Sequence, residues 1–94
     1  MRVIARSTLT QFVATLTGRK EQGAVKTALD AWFHETAKAN WLNSADVKRV
    51  YATASILDAE RVVFNIKGNA YRLVVAIDYP RRIVFVKWLG SHAD

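Results

Sequence analysis

Arg61-Val-Val-Phe-Asn-Ile-Lys-Gly-Asn-Ala-Tyr-Arg-Leu-Val-Val-Ala-Ile77 is the stretch that decides how this chain folds. Val62, Phe64 and Ile66 alternate with Val63, Asn65 and Lys67. Beyond Gly68-Asn69 the alternation resumes, with Tyr71, Leu73, Val75 and Ile77 out of phase with Arg72, Val74, Ala76 and Asp78. A period of two is strand geometry, and a two-residue Gly-X loop suits a type II′ turn, where glycine takes positive φ without steric cost. That loop pairs Lys67 with Ala70, Ile66 with Tyr71 and Asn65 with Arg72. The large apolar side chains then share one face, as a sheet covered by helices requires. Asn65, Lys67 and Arg72 gather on the other face, a cationic patch on rigid strands.

Toward the C-terminus, Asp78-Tyr79-Pro80-Arg81 reads as a proline-containing turn and Arg82 to Leu89 as a third strand. With Tyr79 opposite Arg82, the spacing sends Val84, Val86 and Trp88 to the apolar face. Phe85 and Lys87 go to the polar one, Lys87 beside Val74 and diagonal to Arg72. Toward the N-terminus, Arg2 to Arg6 alternates briefly as a short strand. Ser7 is placed to cap a helix carrying Leu9, Phe12, Val13 and Leu16 as far as Gly18. A polar break at residues 19–23 precedes a longer helix with Val25, Leu29, Trp32, Phe33 and Ala37 on one stripe, ending near Asn40. Asn43 or Ser44 can cap a short helical turn through Tyr51, and residues 52–60 connect it to the hairpin. The expected fold is therefore α+β over one domain, residues 1–94: two N-terminal helices on a mainly antiparallel sheet that ends in a three-strand meander.

Composition narrows the function classes. Of 94 residues, 51% are hydrophobic and 23% charged, ordinary globular material. There is no cysteine, so the fold must stand on its core and nothing indicates an oxidising compartment. The apolar runs fall short of a membrane span, and the charged N-terminus does not resemble a secretory signal. The expectation, by default, is a cytoplasmic protein with no membrane association. The net charge of +6 favours a polyanionic partner. Residues 1–60 carry eight basic and six acidic groups, residues 61–94 six and two. The excess thus sits on the strands.

Two histidines, no cysteine, and no paired-carboxylate or phosphate-loop spacing leave no basis for a metal or a cofactor. His34 flanks the apolar stripe of the long helix and reads as structural. A metal-free nuclease can still cut RNA, because the ribose 2′-hydroxyl is a built-in nucleophile. The protein must then stabilise an anionic phosphorane and move two protons, work suited to arginine, lysine and histidine. Arg72 and Lys87 interrupt apolar strands and call for a reason to sit there; Lys67 at the turn reads first as a solvated strand end, and His92 in the tail reads equally well as a solvated end or a site residue. Trp41, Tyr51 and Phe85 are aromatic enough to stack on bases, or simply to fill the core.

Asp46-Val-Lys-Arg-Val-Tyr51, Ala54-Ser-Ile-Leu57, the hairpin string Phe64-Asn-Ile-Lys-Gly-Asn-Ala-Tyr-Arg-Leu73 and Gly90-Ser-His-Ala-Asp94 resemble HigB-type toxins of bacterial toxin–antitoxin modules, within the RelE-like group. The resemblance implies the RelE-like two-layer fold and an mRNA interferase acting with the translating ribosome. It also implies a helix-turn-helix antitoxin as partner. In that setting Arg72 is the phosphate-stabilising cation, Lys87 a second cation or proton donor, and His92 lies near the scissile phosphate. Asn65 and Lys67 belong to the RNA-binding patch, and Lys48 and Arg49 are positioned toward ribosomal RNA. Relatives continue past the His-Ala-Asp position with Tyr-Asp and a short further segment, where this sequence stops. Two other readings compete with the nuclease: a non-catalytic RNA- or ribosome-binding domain, and an interaction module whose open sheet face docks a partner segment.

Overall fold

The computed structural model describes residues 1–91. Strand β1 (Arg2–Ile4) leads into helices α1 (Arg6–Thr15), α2 (Gln22–Lys38) and α3 (Ser44–Val50), followed by β2 (Ser55–Ile56), β3 (Arg61–Ile66), β4 (Tyr71–Asp78) and β5 (Ile83–Ser91). The strands form one mixed sheet in the order β1-β5-β4-β3-β2. Only β1 against β5 is parallel, with Val3 beside Val84. The α+β reading holds, and the short turn before the hairpin is the third helix.

The hairpin register is the one its alternation demands: Asn65 faces Arg72 and Ile66 faces Tyr71. Its loop is longer than two residues. Lys67 and Gly68 both take positive φ, at 55° and 64°, and the Ala70 N–H donates to the Lys67 carbonyl at 3.2 Å. Lys67 therefore belongs to the turn, and no Lys67–Ala70 strand pair forms. The second turn closes with the Arg82 N–H on the Tyr79 carbonyl at 3.2 Å, which sets Ile77 against Val84.

All three helices lie on one face. Leu9 of α1, Val25, Leu29 and Trp32 of α2 and Val47 of α3 form a single core with Val62, Phe64, Ile66, Tyr71, Leu73, Val75, Ile77 and Val84 of the sheet. Burying each aliphatic side chain of this set is worth about 1.5–3 kcal/mol. Trp32 meets Phe64 edge-on at 5.4 Å, and Trp41 stacks on the same ring at 6.1 Å. Thr36, not Ala37, completes the buried stripe of α2. The spacing 25, 29, 32, 36 keeps closer to one helical face than 37 would.

Helix ends depart from the sequence reading in several places: α1 stops at Thr15, short of Gly18, and α2 starts at Gln22, inside the expected break. Ser7 does not cap α1, whose cap position is the extended Ala5, two residues earlier. Ser7 instead lends its carbonyl to the Thr10 hydroxyl at 3.0 Å. Asn43 does cap α3, its Oδ1 accepting the Asp46 N–H at 3.2 Å.

Strand β5 carries the largest departure. Down to Val86 it keeps the expected register, with Val75 opposite Val86. Then the ladder slips, and Val74 faces Trp88, Leu73 faces Leu89 and Arg72 faces Gly90. Lys87 is the extra residue of a β-bulge. Because one inserted residue exchanges faces, Trp88 leaves the core side, where alternation had put it, and Leu89 takes its place. Leu89 packs against the core, whereas Trp88 is 41% exposed.

Candidate nucleic-acid interface

The face of the sheet turned away from the helices is built by the complementary residues of each strand. From β3 come Arg61, Val63 and Asn65; from β4, Arg72, Val74, Ala76 and Asp78; from β5, Ile83, Phe85, Trp88 and Gly90, with the bulged Lys87 beside them. No helix among the described residues covers it, since each packs on the other side. Its centre is apolar and its rim polar. One row crosses the sheet as Ser55, Val63, Val74 and Trp88, and another as Asn65, Arg72 and Gly90. Val63 is as buried as a core residue, hemmed in by Val74 on one side and β2 on the other.

Arg72 and Lys87 share this face. Arg72 stands between the inward-facing Tyr71 and Leu73, so its guanidinium leaves on the open side. The Lys87 ammonium sits 5.3 Å from the centroid of the Phe85 ring, itself an open-face residue opposite Ala76. The bulge sets Lys87 one residue beyond Trp88, so ladder spacing separates the two Cα atoms by about 10 Å, a gap that two long side chains can span around one phosphate. Among the described residues neither cation is in an ion pair, while Lys26, Arg49, Arg61 and Arg81 are paired with Asp30, Asp46, Asp58 and Asp78. Two unneutralised cations on one uncovered surface can hold a phosphate and stabilise added negative charge on it.

The other residues singled out in the sequence separate into three groups. Asn65 is on the same face, but its amide is engaged: Nδ2 donates to the Thr53 carbonyl at 3.2 Å and ties the strand to the preceding loop. Lys67 stands at the hairpin tip, near enough to Glu21 at the start of α2 to lower that carboxyl's pKa. The hydrogen bond from the Glu21 backbone lowers it most, with the Tyr71 hydroxyl and the charges of Arg19 and Lys67 adding to it. Lys48 and Arg49 lie in the helical layer. The Lys48 ammonium donates to the Ala52 and Ala54 carbonyls, each at 2.8 Å, and Arg49 binds Asp46 at 2.5 Å. The fold does not bring either of them to Arg72. His92 lies outside the described residues.

Of the aromatic candidates, Trp41 is buried, and Tyr51 donates to Glu35 at 2.5 Å on the helical side. Burial, then that carboxylate, pushes the Tyr51 hydroxyl well above its ordinary pKa. Phe85 alone of the three is on the open face. Sequence reasoning missed Trp88, although a signal was present: Gly90, two residues beyond it and within β5, marks a bulge or a close approach. A cleft of about 170 Å³ between α1 and α2 is lined by Leu9, Val13, Leu29 and Phe33 and lies on the opposite side of the sheet from Arg72. The candidate site is thus a surface that a strand can lie on, not a closed cavity. Among the described residues no cluster of histidine and carboxylate groups is arranged to hold a metal ion, and no helix is long and apolar enough to cross a membrane.

Residues 25–94 match the family model of HigB toxin, described as the RelE-like toxic component of a toxin–antitoxin system. No curated protein matches the chain.

Proposed function

The chain belongs to the HigB family of RelE-like toxins, and we propose that it is a metal-independent, ribosome-dependent endoribonuclease that cleaves mRNA and is neutralised by a helix-turn-helix antitoxin. The shared exposure of Arg72 and Lys87 on the face without helices is the observation that carries this reading. The 2′-oxygen attacks the adjacent phosphorus as its proton is removed. The bond to the 5′-oxygen then breaks, and that oxygen is protonated, leaving a 2′,3′-cyclic phosphate and a free 5′-hydroxyl. Arg72 holds the non-bridging oxygens and stabilises the pentavalent anion, a planar two-pronged donor matched to a phosphate. Lys87 is the second cation or the proton donor, and His92 completes the site from the tail. Asn65 and Lys67 border the RNA path, and Lys48 and Arg49 meet ribosomal RNA from the far layer. The protein works in the cytoplasm, where its substrate is translated.

Expression in bacteria tests the proposal. Wild-type protein should arrest growth and deplete mRNA, and Arg72→Ala should lower cleavage by about 10²–10³-fold, the usual loss when one preorganised charge-stabilising donor is removed. An Arg72→Ala variant that still depletes mRNA at the wild-type rate defeats the site assignment. Salt-sensitive binding that leaves RNA intact would identify the non-catalytic alternative.

A further inference from the structure

Trp88 and Gly90 form a unit that the phosphate chemistry does not use. Gly90 is not among the glycines with positive φ, so its backbone shape is open to any residue. Glycine inside a strand sacrifices packing and chain entropy, and here space is what it provides. A Cβ at this position would lie 2.5 Å from Cη2 and from Cζ2 of the Trp88 indole. The six-membered ring is therefore seated directly against the strand backbone. Seated there it lies beside Arg72, because Gly90 is the residue facing Arg72 across the β4–β5 ladder, about 5 Å away between Cα atoms. Trp88 is nevertheless 41% exposed, whereas Trp32 and Trp41 are 2% and 3% exposed. The bulge at Lys87 produces this arrangement by turning the indole outward and setting it beside Arg72, while the Lys87 ammonium stands over Phe85.

We propose that Trp88 is a base-stacking platform: it holds the nucleobase adjacent to the phosphate gripped by Arg72 and so positions that phosphate for cleavage. This rests on the endoribonuclease reading above and adds to it the contact that recognises the base. Arginine and lysine next to an aromatic surface are the combination that grips single-stranded nucleic acid, one part taking the backbone and the other the base, with tolerance for sequence. A ring that served only to cover Gly90 would stabilise the strand and leave RNA affinity unchanged. Stacking and covering are therefore separable by experiment.

The test uses a short fully 2′-O-methylated RNA, which cannot be cleaved, and an abasic oligonucleotide of the same length. With two of three tryptophans shielded, quenching of the protein's emission reports Trp88. The base-bearing RNA should quench it and the abasic one should not. By anisotropy of labelled RNA, Trp88→Ala should bind the base-bearing RNA at least about tenfold more weakly. Trp88→Phe should recover most of that loss, and Gly90→Ala, which unseats the ring without removing it, should mimic Trp88→Ala. Abasic binding should be the same in wild type and Trp88→Ala and keep its salt dependence. Equal affinity of wild type and Trp88→Ala for the base-bearing RNA, with Arg72→Ala still weakened, overturns the stacking role and leaves the nuclease reading intact. Failure of wild type to bind either oligonucleotide, together with intact mRNA on expression, overturns both.

Discussion

The two faces of β4 are built from alternate residues of one eight-residue strand and live under different rules. Leu73 and Val75 are fully buried, and Tyr71 and Ile77 nearly so, beneath the helices. Arg72, Val74, Ala76 and Asp78 are half-buried on a surface that no helix among the described residues covers. On the first face each side chain has many apolar neighbours and its identity sets stability. On the second, an arginine and a tryptophan are tolerated beside valines because water solvates what the protein does not. A strand between a core and an open surface can carry a charged group with its backbone locked by ladders on both sides. That rigidity is what a charge-stabilising site needs.

The comparison can be broken most severely at Leu73. Leu73→Ala should cost about 2–5 kcal/mol in urea unfolding, while its neighbour Arg72→Ala should stay within about 0.5 kcal/mol and lose function instead. Comparable destabilisation by the two would mean that the faces are not distinct. Deletions probe the bulge next. Removing Lys87 takes out the extra residue, so Trp88 should still face Val74 and the protein should unfold within about 1 kcal/mol of wild type. Removing Val86 instead forces Lys87 to the core-facing place opposite Val75, and a loss of at least about 2 kcal/mol is expected. If both deletions are equally harmful, the register given for β5 is wrong.

Smaller effects sharpen the distinction between a cation that holds the fold and one that meets a ligand. Lys48→Met removes two bonds to loop carbonyls. It should reduce stability by about 1 kcal/mol and leave the affinity for a 2′-O-methyl RNA where it was. Asn43→Ala, which strips the α3 cap, should cost a similar ~1 kcal/mol by thermal melting. The slightest effect belongs to acid. Asp58 accepts from the backbone N–H groups of Glu60 and Arg61 and then from the Arg61 side chain, which holds its pKa down at about 2. Its folded pKa lies below the ordinary carboxylate value of about 3.9, so the contribution is fully present above that value and lost as pH falls toward 2. Protection factors of the Glu60 and Arg61 amides, relative to intrinsic exchange at each pH, should therefore fall between about pH 4 and 2, and Asp58→Asn should abolish that dependence.

Much of this was legible in order of locality. The β3–β4 register could be read because alternation on both arms and a glycine turn agree, and six consecutive pairs obey it. The α2 stripe was legible to within one residue, since Thr36 and Ala37 are both small enough to sit under a sheet. Lys48 is the exposed cation its context suggests, but nothing in Asp46 to Tyr51 shows that the loop at residues 52–54 will bend back to offer it carbonyls. Strand β2, two residues long, has no period to detect.

The chain's own order of apolar and polar residues determined the layers, the hairpin register and the side on which Arg72 emerges, because each follows from neighbours two or four positions apart. It could not determine the face of Trp88. In Val84-Phe-Val-Lys-Trp-Leu89 either Trp88 or Leu89 is apolar enough to turn inward, and the ladder can be regular or bulged. Only the packed structure decides between them, by comparing an indole with an isobutyl group beside Leu73 under α1. That comparison depends on residues some seventy positions apart in sequence, where local periodicity carries no information. The parallel docking of β1 on β5 was settled in the same way.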